Sequence, residues 1–176
     1  MKFTELPLPG LYLVEPETIE DDRGFFARTY CRREFAARGL NPDLMQASIS
    51  FNRRRGTLRG MHYQEKPNEE AKLVRVTQGA IYDVALDMRP ESPAYLRWHA
   101  VELDQENHTA LYIPEGVAHG FLTLQDSTEV LYQISAFYAP DAARGVRWDD
   151  PAFAISWPGV VEAISERDRS YPDFKP

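Results

Sequence analysis

Nine short runs rich in aromatic and β-branched side chains, separated by Gly, Pro, Asn or Asp clusters, recur along the chain from Leu11 to Tyr138 and leave little room for helices. They are LYLVEP, GFFARTY, QASISF, KLVRVT, AIYDVALDM, RWHAVEL, HTALYIP, HGFLTLQ and TEVLYQISAFY. Such residues suit a pleated, half-buried surface, and many short strands at this spacing form a sandwich or a closed barrel. Helical periodicity is confined to CRREFAARGL, closed by Gly39, and to a last turn in SERDRSYP before Pro172. No internal repeat, low-complexity tract or linker divides the 176 residues, so the expectation is one all-β domain over residues 1–176 with short peripheral helices.

Charge excludes some functions. With 27 acidic against 20 basic side chains, a net charge of -7 and a pI near 5.1, the chain has no positive field to hold nucleic acid or an anionic membrane. Its only cysteine, Cys31, rules out an intrachain disulfide; it reads as a half-buried thiol in a protein of the reducing cytoplasm. The N-terminal MKFTELPLPGLYLVEPE interrupts any signal-peptide pattern with prolines and glutamates, and no later run approaches membrane-spanning length. The expectation is a soluble, unprocessed, cytoplasmic protein. The run Arg53 to Arg55 reads as a solvated loop.

Against this acidic balance, GTLRGMHYQEKPNEEAKLVRV, residues 56–76, gathers Arg59, His62 and Lys72. Alternation along strands puts His62 and Gln64 on one face, His119 and Phe121 on one face, and Tyr132 with Ile134. Arg59 and His62 have opposite parity. Both reach one cavity only if Gly60 hosts a bulge or a strand end.

The segment PEGVAHGF has the Pro-x-Gly-x-x-His form of the second cupin motif, a turn that ends a strand and aims a histidine into a barrel. A metal-binding cupin also needs a His-x-His pair and a carboxylate on the earlier strand. Here the pair reads His62, Tyr63, Gln64, and Lys72 would repel a cation, so no metal is expected. His99 and His108 read as structural. The company of His62 is different: an imidazole, a lysine, an arginine and tyrosines suit proton removal beside a carbonyl, with a cation for the enolate oxygen and a phenol to return the proton.

The ordered series DDRGFF, QASIS, LRGMHYQ, KLVRVTQGAIYDVALDMRPESP, IPEGVAHGF, YQISAFY, WDDPAFAISWP and ISERD resembles the dTDP-4-dehydrorhamnose 3,5-epimerase family over most of the chain. The resemblance implies a cupin or double-stranded β-helix jelly-roll barrel, usually dimeric and free of metal and cofactor. Such a protein inverts carbon 3 and carbon 5 of a nucleotide-diphosphate-linked 4-keto-6-deoxyhexose. It makes His62 the base, Asp168 its orienting carboxylate, Lys72 the group beside the keto oxygen and Tyr132 the acid on the opposite ring face. Arg23 and Arg59 match diphosphate contacts, and His119, Phe121 and Tyr138 match residues around the sugar. Phe26, Gln46 and Ser48 match the nucleotide end, Ser48 standing where the family often has Asn and Arg28 where it often has Glu. The segment holding Arg23 is expected from the neighbouring subunit, in a homodimer that exchanges N-terminal strands.

Other functions stay open at this level. They are a single-centre epimerase or ketoisomerase on a CDP- or other nucleotide-linked 4-keto sugar, a metal-dependent cupin oxygenase or isomerase, and a non-catalytic sugar-nucleotide binding module.

Overall fold

The computed structural model describes residues 1–175. In chain order the strands are β1 (Lys2–Glu5), β2 (Tyr12–Glu15), β3 (Thr18–Asp21), β4 (Gly24–Ala27), β5 (Gln46–Asn52), β6 (Leu58–Gln64) and β7 (Lys72–Gln78). They continue as β8 (Ala80–Asp87), β9 (Trp98–Asp104), β10 (Ala110–Ile113), β11 (Val117–Thr123), β12 (Thr128–Ile134) and β13 (Ala143–Gly145). Two short helices, α1 (Arg32–Ala36) and α2 (Glu166–Arg169), fall in the two segments with helical periodicity.

A six-stranded sheet runs β1-β2-β10-β7-β12-β5, a five-stranded sheet runs β13-β6-β11-β8-β9, and β3 with β4 forms a separate hairpin. Every strand pairing is antiparallel. Neighbours such as β10 and β7, or β11 and β6, are distant in sequence, which is the interleaving of a jelly-roll, cupin-type barrel.

Three apolar clusters explain why the central strands do not alternate cleanly with polar residues. Between the sheets lie Val74 and Val76 of β7, Ile81 and Ala85 of β8, Phe121 of β11 and Val130 of β12. Behind the six-stranded sheet, Phe35 of α1 packs with Leu73, Ala110 and Tyr112, its ring edge-on to Phe3 at 5.1 Å. Behind the five-stranded sheet, Met61, Val84, Leu86 and Ala118 are covered by Val146, Phe153 and Trp157. Strands buried on both faces read as continuous apolar runs, and covering both faces is what makes KLVRV and VAHGFLT wholly buried.

Several boundaries differ from the sequence reading for visible reasons. The run HTALYIP joins the sheet only at Ala110, because His108 sits at φ 52, outside the extended region. GFFARTY stops at Ala27, where the chain turns so that Thr29 can accept a hydrogen bond from buried Arg75 at 3.0 Å. TEVLYQISAFY leaves the ladder after Ile134: Ser135 N–H donates to Ala71 O, and Tyr138 N–H to the Gln46 side chain at 2.7 Å. WDDPAFAISWP, which is not among the strand candidates, lays Phe153 and Trp157 over the outer sheet face. β1, β3, β6 and β13 were not among the runs singled out by composition: β1, β3 and β13 are four, four and three residues long and poor in buried apolar side chains, and β6, LRGMHYQ, holds Arg59, Gly60 and His62 where an aromatic or β-branched run would stand. Cys31 is half-buried at the start of α1, as expected.

Candidate active site

Arg59 and His62 share one cavity because β6 carries a bulge at Gly60. His119 of β11 pairs with His62, and Phe121 pairs with Arg59, so three steps along β6 oppose two along β11. Gly60 sits at φ 120, and a Cβ there would lie 2.7 Å from His119 O, so only glycine fits. The extra residue, Met61, turns to the outer apolar cluster. The parity conflict in the sequence is resolved where it was expected to be.

The cavity between the sheets has a volume of about 600 Å³ and brings together Ser48, Arg59, His62, Lys72, His119, Phe121, Tyr132 and Asp168. Asp168 reaches it because the chain from Gly56 is clamped to the C-terminal segment: Glu162 N–H donates to Gly56 O at 2.8 Å, and Leu58 N–H to Ala163 O at 2.8 Å. Ser165 caps α2 by accepting from Asp168 N–H at 3.0 Å. The short helix thus presents Asp168 to β6.

His62 Nε2 lies 2.6 Å from Asp168 Oδ1, and Gly60 N–H donates to Asp168 Oδ2 at 3.2 Å. Burial works to raise the Asp168 carboxyl, but its hydrogen bond and charge contact with His62, the Gly60 N–H and Ser165 outweigh it and hold the group below its ordinary range. An ionised Asp168 accepts, so Nε2–H donates and the Nδ1 lone pair is the basic position of the ring. The His62 side chain is 41% exposed while Asp168 is 4% exposed, an open ring on a buried anchor.

Lys72 Nζ lies 2.7 Å from Glu70 Oε1, both side chains nearly buried, and 3.4 Å from His62 O. Arg59 Nε donates to Asn52 Oδ1 at 2.8 Å, and Asn52 is fixed in turn by donating to Thr128 O at 3.2 Å. Tyr132 stands between Ser48 and Val74 in the cross-strand register, with its ring edge-on to His119 at 5.9 Å. Burial, then the negative charge of Asp83, push its phenol well above the ordinary range, with Arg59 pulling the other way. The proton on Tyr132 is firmly held.

The remaining expected residues lie elsewhere. Gln46 and Tyr138 are joined to each other beside the end of β12 and do not line the cavity. Arg23, at the hairpin tip, is 89% exposed with its guanidinium on Asp21, and Phe26 borders a separate hollow with Met1, Ile19 and Arg28. Gln64 donates to Asn68 O at 2.8 Å and accepts from Ala139 N–H at 2.6 Å, so its amide fastens loops.

Three polar residues escaped the sequence reading. Asp83 is completely buried and pairs with His119, Nε2 to Oδ1 2.6 Å. Its signal was present: in AIYDVALDM it shares inward parity with Ile81 and Ala85, an acid on an apolar face. Glu70 belongs to a loop and left no such pattern. Arg167 lines the cavity mouth, its Nε donating to Tyr171 Oη at 3.0 Å.

A family model described as dTDP-4-dehydrorhamnose 3,5-epimerase matches residues 5–176. The chain is 42% identical over 178 residues to the dTDP-4-dehydrorhamnose 3,5-epimerase of Methanothermobacter thermautotrophicus, covering 99% of this chain and 95% of that one. The crystal structure of the enzyme of that name from Elizabethkingia anophelis superimposes with a TM-score of 0.96 at 34% identity, covering 99% and 96% of the two chains. That from Bacillus anthracis, with TDP and PPi bound, gives 0.94 at 38% identity, covering 98% and 99%.

Proposed function

The chain belongs to the dTDP-4-dehydrorhamnose 3,5-epimerase family, and from that membership we propose that it inverts carbon 3 and carbon 5 of dTDP-4-dehydro-6-deoxy-D-glucose. The observation that carries the reading is the cavity itself: the His62–Asp168 pair, Lys72 and Tyr132 line one 600 Å³ space. A 4-keto group acidifies the C–H bonds on both neighbouring carbons, so removal of a proton from one ring face and its return on the other inverts each centre.

In this mechanism His62 Nδ1 takes the proton, and Asp168 steadies the imidazolium through the 2.6 Å contact. The Lys72 ammonium, steered by Glu70, meets the charge that develops on the keto oxygen. Tyr132 delivers its proton from the far face. The terminal nitrogens of Arg59, whose Nε is anchored on Asn52, are free to bind a diphosphate. Ser48 serves the nucleotide from the cavity wall and His119 and Phe121 stand beside the sugar ring, while Gln46 and Tyr138, joined to each other outside the cavity, extend the site past the end of β12. The positive groups of an acidic protein thus sit where an anionic substrate and an anionic intermediate need them.

Arg23 and Phe26 lie outside this chain's own cavity, and their hairpin exposes Ile19, Phe25 and Phe26. The edge strand β5 exposes Ile49 and Phe51 with no neighbour on one side. An apolar edge of this kind calls for a partner. In the proposed homodimer the hairpin of one copy brings Arg23 and Phe26 to the cavity of the other, one domain per subunit, in the cytoplasm. No described helix is long and apolar enough to cross a membrane.

The test is incubation with dTDP-4-dehydro-6-deoxy-D-glucose in deuterated water, read by NMR. Deuterium and inverted configuration at both carbon 3 and carbon 5 support the reading, and a sugar recovered unchanged at both refutes it.

A further inference from the structure

The cavity holds a second imidazole–carboxylate pair that the mechanism above does not use. His119 is 5% exposed and Asp83 is 0% exposed, with Nε2 and Oδ1 2.6 Å apart. Asp83 Oδ2 is buried without a hydrogen-bond partner, alone among side-chain polar atoms of the described residues. An unsatisfied buried acceptor costs about 1–3 kcal/mol, more when charged. A histidine needed only for packing has no use for that cost, since a neutral amide would hold its ring equally well. His119 Nδ1 has no protein partner and is not buried, so it opens on the cavity.

The location is as telling as the chemistry. His119 is the direct cross-strand partner of His62 and lies edge-on to Tyr132 at 5.9 Å. It stands between the group that removes protons and the group that returns them.

Two inversions consume two protons at the far face, whereas Tyr132 carries one. After the first inversion Tyr132 is a phenolate, enclosed by the strands and the bound sugar. Because burial and the Asp83 charge hold the phenol proton so firmly, that phenolate is a strong base and draws a proton from the nearest donor.

We propose that His119, oriented by Asp83, returns a proton to the Tyr132 phenolate between the two inversions. The His119 Nδ1–H bond breaks, its electron pair stays on nitrogen, and the Tyr132 O–H bond forms. His119 is left neutral with Nε2–H still donated to Asp83. Its Nδ1 then accepts the equivalent of the proton that His62 took from the sugar, passed through a water that takes one proton from His62 as it gives another to His119, which restores His62, Tyr132 and His119 with no change of oxidation state. Asp83 acts only through His119 and is a positioning residue.

This inference rests on the two-centre reaction proposed above. The test is a single-turnover experiment with enzyme in excess over dTDP-4-dehydro-6-deoxy-D-glucose, comparing wild type with Asp83→Asn. The amide keeps the shape of the side chain but can donate to Nε2 and fix the wrong tautomer. The second inversion should slow by at least about a hundredfold more than the first, at the low end of a lost general acid. A singly inverted sugar nucleotide then accumulates, and Asp83→Glu, which keeps the carboxylate, reduces that accumulation. Equal slowing of both inversions, or no accumulation, overturns the proposal. Should Asp83→Asn fail to fold by circular dichroism, His119→Gln is judged by the same product ratio, with accumulation supporting the relay and a wild-type ratio overturning it. Wild-type protein that inverts neither carbon would instead overturn the proposed function, so the two failures are distinct.

Discussion

Asp168 Oδ1 lies 2.6 Å from His62 Nε2, although the two residues are 106 positions apart in the chain. The contact joins the bulged strand β6 to the C-terminal α2, and it fixes which nitrogen of His62 faces the cavity. His62→Ala should abolish turnover, with a loss of roughly 10² to 10⁴-fold or more, as for a general base. Asp168→Asn should lose less, because the imidazole that takes the proton is still present although its tautomer and charge are no longer supported. Steady-state kinetics of both variants check this ordering.

The same pair sets a pH dependence of stability. The Asp168 carboxyl is held below its ordinary range in the folded state, so its contribution is complete above the unfolded carboxyl pKa of about 3.9 and is lost as pH falls through the lower folded value. Urea unfolding of wild type and Asp168→Asn should show a stability gap near neutrality that closes in strong acid. A gap that widens on acidification contradicts the assignment.

Gly60→Ala probes the bulge. The new methyl would meet His119 O at 2.7 Å, and φ 120 is unfavourable for any side chain. A loss of about 1–3 kcal/mol from backbone strain is the least expected, with activity falling as Arg59 and His62 lose their common face. Chemical denaturation and kcat/KM measure the two effects.

Much of this arrangement was legible in the sequence, and the reasons are particular. Strands β7, β8 and β12 announced themselves through short runs rich in β-branched and aromatic residues, and strand parity allowed Lys72, His119 and Tyr132 to share the interior that the family resemblance implied. Gly60 was identifiable because two residues of opposite parity needed one cavity. Asp168 came only with the family resemblance, since no spacing rule links a C-terminal turn to β6. Glu70 was invisible because loop residues carry no periodicity.

The exchanged hairpin can be examined by subunit complementation. His62→Ala and Arg23→Ala proteins should each be nearly inactive alone. If Arg23 serves the partner's cavity, unfolding and refolding them together creates hybrid dimers with one intact site each. Random pairing then restores about a quarter of wild-type activity in a two-fold symmetric dimer. Recovery of none, or an active monomer in sedimentation, contradicts the exchange.

The division of labour between His62 and Tyr132 is examined by Tyr132→Phe in deuterated water. This variant leaves His62, Asp168, Lys72 and Arg59 in the cavity and removes only the hydroxyl that burial holds protonated. NMR of the recovered sugar nucleotide should show deuterium entering beside the keto group without inversion, because His62 returns the proton to the face it came from. Loss of exchange and inversion in equal measure, or inversion at the wild-type rate, would contradict a far-face acid at Tyr132.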